Sequence, residues 1–141
     1  MKGFLGDGPA APEPFDPDTS LAHPFIELFA KSTFQELIPL LLLACVFAPI
    51  MEEIMFRGVL YRHLREATRS LAYFSIIISA IIVNVLFAAV HPQGLLAIPL
   101  LASLACGFIL AREWRGSLVP AIIAHGLNNA LVLTLLLGLI R

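Results

Sequence analysis

Residues 37–63 read LIPLLLLACVFAPIMEEIMFRGVLYRH, an apolar run that continues into the adjacent acids Glu52 and Glu53 and then, four residues after Glu53, into Arg57. A charged side chain at the centre of a membrane-spanning helix costs roughly 2.5–3.5 kcal/mol on insertion scales, so a carboxylate in such a run marks a functional site by default. Two further polar clusters share this setting. His91 closes the apolar run 71–90, and His125 lies with Asn128 and Asn129 inside the run 118–140.

The rest of the chain supports a membrane reading. It has 141 residues, 59% of them hydrophobic and 13% charged, against about 25% charged in an ordinary soluble domain, and its mean hydropathy is +0.90. The length allows one domain with four spans of about 20 residues each. A formal net charge of −1 gives no reason to expect a nucleic-acid partner. Cys45 and Cys106 fall inside apolar runs without a disulfide or metal-ligand pattern, and they read as small buried packing residues. Met1 to Asp18 has no apolar core and is broken by four prolines, so no cleavable signal peptide is visible.

Outward from the first run, the organisation is an all-α, polytopic membrane bundle of four helices behind a polar, Pro-rich N-terminal tail. Residues 1–33 form the tail, with Phe25 to Ser32 as an amphipathic piece that lies either on the membrane surface or against the bundle. Residues 34–141 form the four-span domain. The first span, from about Leu37, continues as helix to about His63, with a kink expected at Pro49. The others are Leu71–His91, Leu95–Ala111 and Leu118–Ile140. Ser103, Gly107 and Ala111 make a small-residue stripe suited to close helix contact, and Gly126 and Ala130 offer a similar surface. Arg57, Arg62, Arg65 and Arg69 flank the first connection and Arg112 and Arg115 the third, while the second has no Lys or Arg. The first and third connections therefore face the cytoplasm, with both termini outside.

Neighbouring residues on an α-helix stand about 100° apart, so Glu52 and Glu53 cannot share a task. Glu53 and Arg57, at i and i+4, form an ion pair that neutralises two charges costly in lipid. Glu52 is left over, as a general base or acid acting on water or as a residue that ends the span among headgroups. His91 shares a helical face with Asn84 and Phe87 and alone reads equally well as an interfacial residue. His125, Asn128 and Asn129 form a polar patch that is either a site or a hydrogen-bonded seam between helices. One free carboxylate, two imidazoles and an amide from three helices can activate water and polarise a carbonyl, and Glu with two His is also a ligand set for catalytic zinc. One geometric expectation stands against a shared site. If the first and third connections were level, His91 and His125 would differ in depth by about 19 Å.

The stretch APIMEEIMFRGVLYRHL resembles the EExxxR motif of the CPBP membrane proteins, the CAAX proteases and bacteriocin-processing enzymes also called the Abi family. FAAVH resembles that family's FxxxH motif and GSLVPAIIAHGLNNAL its HxxxN motif, in the family's order across about Gln35 to Leu137. The resemblance implies an intramembrane endopeptidase of CAAX-prenyl-protease type, a hydrolase in which Glu52 and His91 activate water. His125 and Asn129 would then bind water or metal and stabilise the oxyanion, and Glu53 and Arg57 would support the site. It implies a membrane-associated peptide or protein substrate, a bacterial inner or cell membrane as the location, and either a zinc ion held by His91 and His125 near Glu52 or a metal-free mechanism. Family members usually carry further spans, so the chain reads as a minimal member, as a piece of a longer protein, or as a subunit completed in a homo-oligomer. Two other functions compete, a small proton-coupled transporter using Glu52 and a non-catalytic immunity or scaffold protein.

Overall fold

A computed structural model describes residues 28–29 and 31–140, and all regular elements among them are helical. The four-helix bundle anticipated from the sequence is present. Its first helix, α1, runs continuously over Phe34–Ala67. It begins where the first turn's N–H groups need partners: the Glu36 carboxylate accepts from the Thr33 N–H and from the Thr33 hydroxyl, both at 2.8 Å. Most of the N-terminal tail, including Phe25, lies outside the described residues. At its end Phe29 is buried while Leu28 is exposed.

Pro49 shapes α1 through a widened turn. Residues Leu43–Phe47 are π-helical, and the Ala48 N–H bonds the Leu43 carbonyl five residues back. Pro49 has no N–H. The Ala44 carbonyl is thus left without a donor four or five residues ahead, and a side chain of another helix supplies one, as described below. A second π-helical stretch, Ile54–Leu60, follows directly after the two glutamates. Widened turns of this kind are rare and concentrate at functional sites.

The remaining helices are α2 (Tyr73–Ala89), α3 (Ile98–Arg115, preceded by a 3-10 turn at Leu95–Ala97) and α4 (Val119–Ile140). The α1–α2 turn is tight. Ala72 adopts φ +51°, a backbone conformation that side chains with a Cβ rarely take, and Thr68 braces it by donating to the Leu64 carbonyl and meeting the Ser75 hydroxyl, each at 2.7 Å. Gly116, at φ +61°, ends α3 in the left-handed region that glycine adopts without penalty.

The two hairpins are staggered. A Cβ on Gly58 would stand 3.1 Å from the Leu118 side chain, so the α3–α4 connection packs level with Gly58. Gly58 precedes Thr68 by ten residues, which makes the α1–α2 hairpin extend past the α3–α4 turn by about 15 Å. This overhang absorbs most of the depth difference expected between His91 and His125. The assumption that the first and third connections lie level was the error.

Polarity runs inside out relative to a soluble domain. Glu53, Arg57, Ser75, Ser79, Asn84 and His125 are buried, whereas Phe47, Met51, Met55 and Val59 of α1, Ile77 and Ile81 of α2 and Leu127, Leu131 and Leu135 of α4 are exposed. α1, Leu95–Arg115 and Val119–Leu139 are long and apolar enough to cross a membrane, while Tyr73–Ala89 is a shorter apolar helix. That last helix falls short of the expected Leu71–His91 because the Ala72 turn trims one end and the Pro92 turn the other. The small-residue stripe on α3 is also a correction. Ser103 and Gly107 face outward, Ala111 is only half-buried, and a Cβ on Gly107 would meet nothing within 4 Å; Cys106, expected to be buried, is exposed on the same helix and Cys45 is half-buried. The stripe on α4 does what was expected: a Cβ on Gly126 would come within 2.5 Å of the Cys45 carbonyl oxygen, so α1 and α4 touch backbone to backbone there.

The core itself joins apolar and ionic contacts. Tyr61, Val83 and Ile109 pack from α1, α2 and α3, and next to them Arg57 and Glu53, both fully buried, pair at 2.9 Å. Arg57 also donates to the Ala105 carbonyl of α3 at 3.1 Å. Breaking a buried pair by removing one partner costs about 3–5 kcal/mol. Arg57→Ala should therefore unfold at markedly lower denaturant or temperature in detergent, and an unchanged midpoint would show that the pair is not structural.

Candidate active site

The site is assembled directly on that ion pair. Glu53 Oε1 receives Arg57 Nη1 from its own helix and His125 Nδ1 from α4, both at 2.9 Å. One oxygen thus joins α1, α4 and, through Arg57, α3. An ionised carboxylate can only accept, so His125 Nδ1 carries the proton and its Nε2 holds a lone pair in the neutral ring. His91, two residues past the end of α2, is fixed in the same tautomer, because its Nδ1 lies 2.6 Å from the Phe87 carbonyl, which also only accepts.

Both free nitrogens face the same atom. His91 Nε2 and His125 Nε2 each stand 3.7 Å from Glu52 Oε2, beyond a direct hydrogen bond. That oxygen is buried and has no hydrogen-bond partner. Three acceptors therefore converge with no donor among them, an arrangement that is costly unless a water or a cation stands between them. The Glu52 and His91 side chains remain partly exposed, at 31% and 18%, against 5% for His125, so the cluster opens on the Glu52 and His91 side.

Aromatic rings wall the cluster. Phe87 lies 4.2 Å from the His91 ring and 5.7 Å from the His125 ring, and Phe108 of α3 stacks on His125 at 4.7 Å and 15°. The Arg57 guanidinium caps both phenyl rings, 4.5 Å from Phe87 and 5.3 Å from Phe108. Phe87 was already placed on the His91 face by its spacing. Phe108 was not recognised, since nothing in the apolar run of α3 separates it from its neighbours.

Of the residues singled out in the sequence, Glu52, His91 and His125 come together and Glu53 and Arg57 stand behind them. Asn129 is placed differently. Its Nδ2 donates at 2.9 Å to the Ala44 carbonyl that Pro49 leaves free, which ties α4 to the widened turn of α1. One N–H of the amide is thereby used and the other is not. Asn128 lies 3.5 Å from the Asn129 Oδ1. Of the two alternatives, the interhelical seam is present through Asn129, while His125 stands 3.7 Å from Glu52. The signal for the Asn129 contact was legible as Pro49, which orphans carbonyls four and five residues earlier.

The donor types, though not their spacing, are those of a zinc ligand set. Two neutral imidazoles present Nε2 while Nδ1 is held by a carboxylate or a carbonyl, the support that metal-ligating histidines generally have, and Glu52 supplies an oxygen. Among the described residues, however, no group of three or more His, Cys, Asp or Glu side chains is arranged as a finished ligand set.

No curated protein and no solved structure shows significant similarity to the chain. Residues 34–131 match the family described as type II CAAX prenyl endopeptidase Rce1-like. The match covers α1, α2, α3 and the first part of α4, and it includes Glu52, Glu53, Arg57, His91, His125 and Asn129. From this match and its apolar helices, the chain is an integral membrane protein that belongs to the Rce1-like family of type II CAAX prenyl endopeptidases, a family of proteases.

Proposed function

We propose that this chain is a multi-pass intramembrane endopeptidase that cleaves a peptide bond in a membrane-associated substrate of CAAX-prenyl type, with Glu52 as the general base. The observation behind this reading is the buried, partnerless Glu52 oxygen faced by two imidazole lone pairs. A water held between Glu52 and His91 loses a proton to Glu52 as its oxygen attacks the peptide carbonyl. The carbonyl becomes a tetrahedral oxyanion. His125 takes a proton from solvent at Nε2 as the substrate binds, donates it as a hydrogen bond to that oxyanion and returns it to solvent when the carbonyl re-forms, while the Glu53 carboxylate at Nδ1 offsets the imidazolium charge. The unused N–H of Asn129 is the second donor. Glu52 then returns its proton to the leaving amine as the C–N bond breaks. If zinc is bound, His91 and His125 would hold it through Nε2, and it would supply Lewis-acid polarisation of the carbonyl. A transporter reading accounts for Glu52 but leaves the matched tautomers of His91 and His125 without a purpose.

Purified chain in liposomes, given a fluorogenic farnesylated peptide with a CAAX end, tests this reading. Glu52→Gln should lower the rate roughly 10²–10⁴-fold, the usual contribution of a general base, with an unchanged unfolding midpoint. Normal cleavage by Glu52→Gln would end the catalytic assignment. In the same assay a strong chelator separates the two mechanisms. Full activity after chelation supports water activation by Glu52 and His91 alone, while loss of activity with about one zinc per chain, absent in His125→Ala, supports the metal.

We also propose that the α1–α2 and α3–α4 connections face the cytoplasm of a bacterial cell membrane, because they hold Arg62, Arg65, Arg69, Arg112 and Arg115. Single cysteines placed at positions 65 and 113 should be labelled only after the inner face is opened to the reagent. Labelling of either in intact cells would reverse the orientation.

A further inference from the structure

The α1–α2 overhang and the end of α3 border an open surface cavity of about 300 Å³ lined by Arg62, Arg65, Glu66, Arg69, Arg112 and Glu113. Four cations and two anions leave the lining two charges positive. Both acids are already engaged. Glu66 pairs with Arg62 at 3.0 Å, and Glu113 pairs with Arg112 at 2.5 Å. Arg112 also rests over the Tyr61 ring at 4.9 Å. Arg65 and Arg69 have no acidic partner among the described residues. They project from the segment that Thr68 and Ser75 pin, and the Ser75 hydroxyl also lies 3.2 Å from the Arg65 carbonyl. The wall holding these two guanidinium groups is therefore fixed before any ligand arrives.

The depth of this cavity is marked independently. Trp114, the neighbour of Glu113 in the last turn of α3, is 80% exposed. Exposed Tyr and Trp at the ends of apolar helices sit at the membrane–water boundary, where phosphate groups are densest. An excess of arginine alone would orient the chain and no more. Here cations from two separate connections line one cavity, and the guanidinium fork is the side-chain donor best suited to the oxygens of a phosphate.

We propose that this cavity is a binding site for a phosphate anion, and that its occupant is the headgroup phosphate of an anionic phospholipid, held by Arg65 and Arg69. The site is distinct from the Glu52 cluster. It rests on the membrane reading of the helices but not on the peptidase reading.

The test follows thermal unfolding of the detergent-solubilised full chain titrated with monomeric dihexanoyl phosphatidylglycerol, dihexanoyl phosphatidylcholine or inorganic phosphate. The glycerol lipid should raise the midpoint and the choline lipid should not. Arg65→Gln with Arg69→Gln should weaken the response roughly tenfold or more in concentration, since each lost hydrogen bond to a charged group is worth that much. Arg115→Gln, a change at the same end but outside the cavity, should leave the response intact. Arg65→Lys with Arg69→Lys should give an intermediate response and guards against misfolding of the glutamine variant. Stabilisation by inorganic phosphate at similar concentration would keep the phosphate site but overturn the lipid as occupant. No response to the glycerol lipid, or equal loss in Arg115→Gln, would overturn the site itself.

Discussion

Glu53 Oε1 accepts two charged or polar donors from different helices, and the arrangement of the other residues follows from that contact. The oxygen offsets the Arg57 charge, which in turn reaches the Ala105 carbonyl of α3. It also fixes the His125 tautomer, so that Nε2 turns toward Glu52. A buried carboxylate with one partner would be a liability. With two, it becomes the junction through which the fold and the site depend on the same atoms. Glu52, one residue earlier, points elsewhere by helical geometry and has only lone pairs for company.

The second constraint is the backbone chemistry of α1. Pro49 removes one donor and the π-helical turn before it displaces another, which leaves the Ala44 carbonyl for Asn129 to satisfy. The neighbouring Cys45 carbonyl approaches Gly126 so closely that no side chain would fit there. Gly126 and Asn129 stand one and four residues after His125 on α4. The distance between α1 and α4 at the depth of the site is thus set by backbone contacts, which are far less compliant than side-chain packing. The stagger of the two hairpins then brings His91, past the end of α2, level with His125, one and a half turns into α4.

Much of this was legible in the sequence. Polar residues in apolar runs are few and expensive, so Glu52, Glu53, Arg57, His91 and His125 announced themselves, and i, i+4 spacing was enough to pair Glu53 with Arg57. The same spacing could not show that Glu53 serves His125, because a contact across 72 residues depends on how the helices dock. The depth of His125 relative to His91 was misjudged because loop positions say nothing about hairpin stagger. Small residues on α3 looked like a contact surface and face outward, whereas the identical signal on α4 was correct. Composition alone does not tell which face of a uniformly apolar helix is turned inward. Phe108 is the clearest loss: in such a helix one aromatic looks like any other until the imidazole beneath it is placed.

Two neutral imidazoles, each protonated at Nδ1, offer their Nε2 lone pairs to the region of the Glu52 carboxylate. Nitrogen-15 magnetic resonance of histidine-labelled protein in bilayers at neutral pH reads this directly, with His91→Gln and His125→Gln assigning the signals. Both rings should be Nδ1–H tautomers, and both Nε2 resonances should change in Glu52→Gln. Nε2–H tautomers at either ring, or Nε2 signals indifferent to Glu52, would contradict this arrangement.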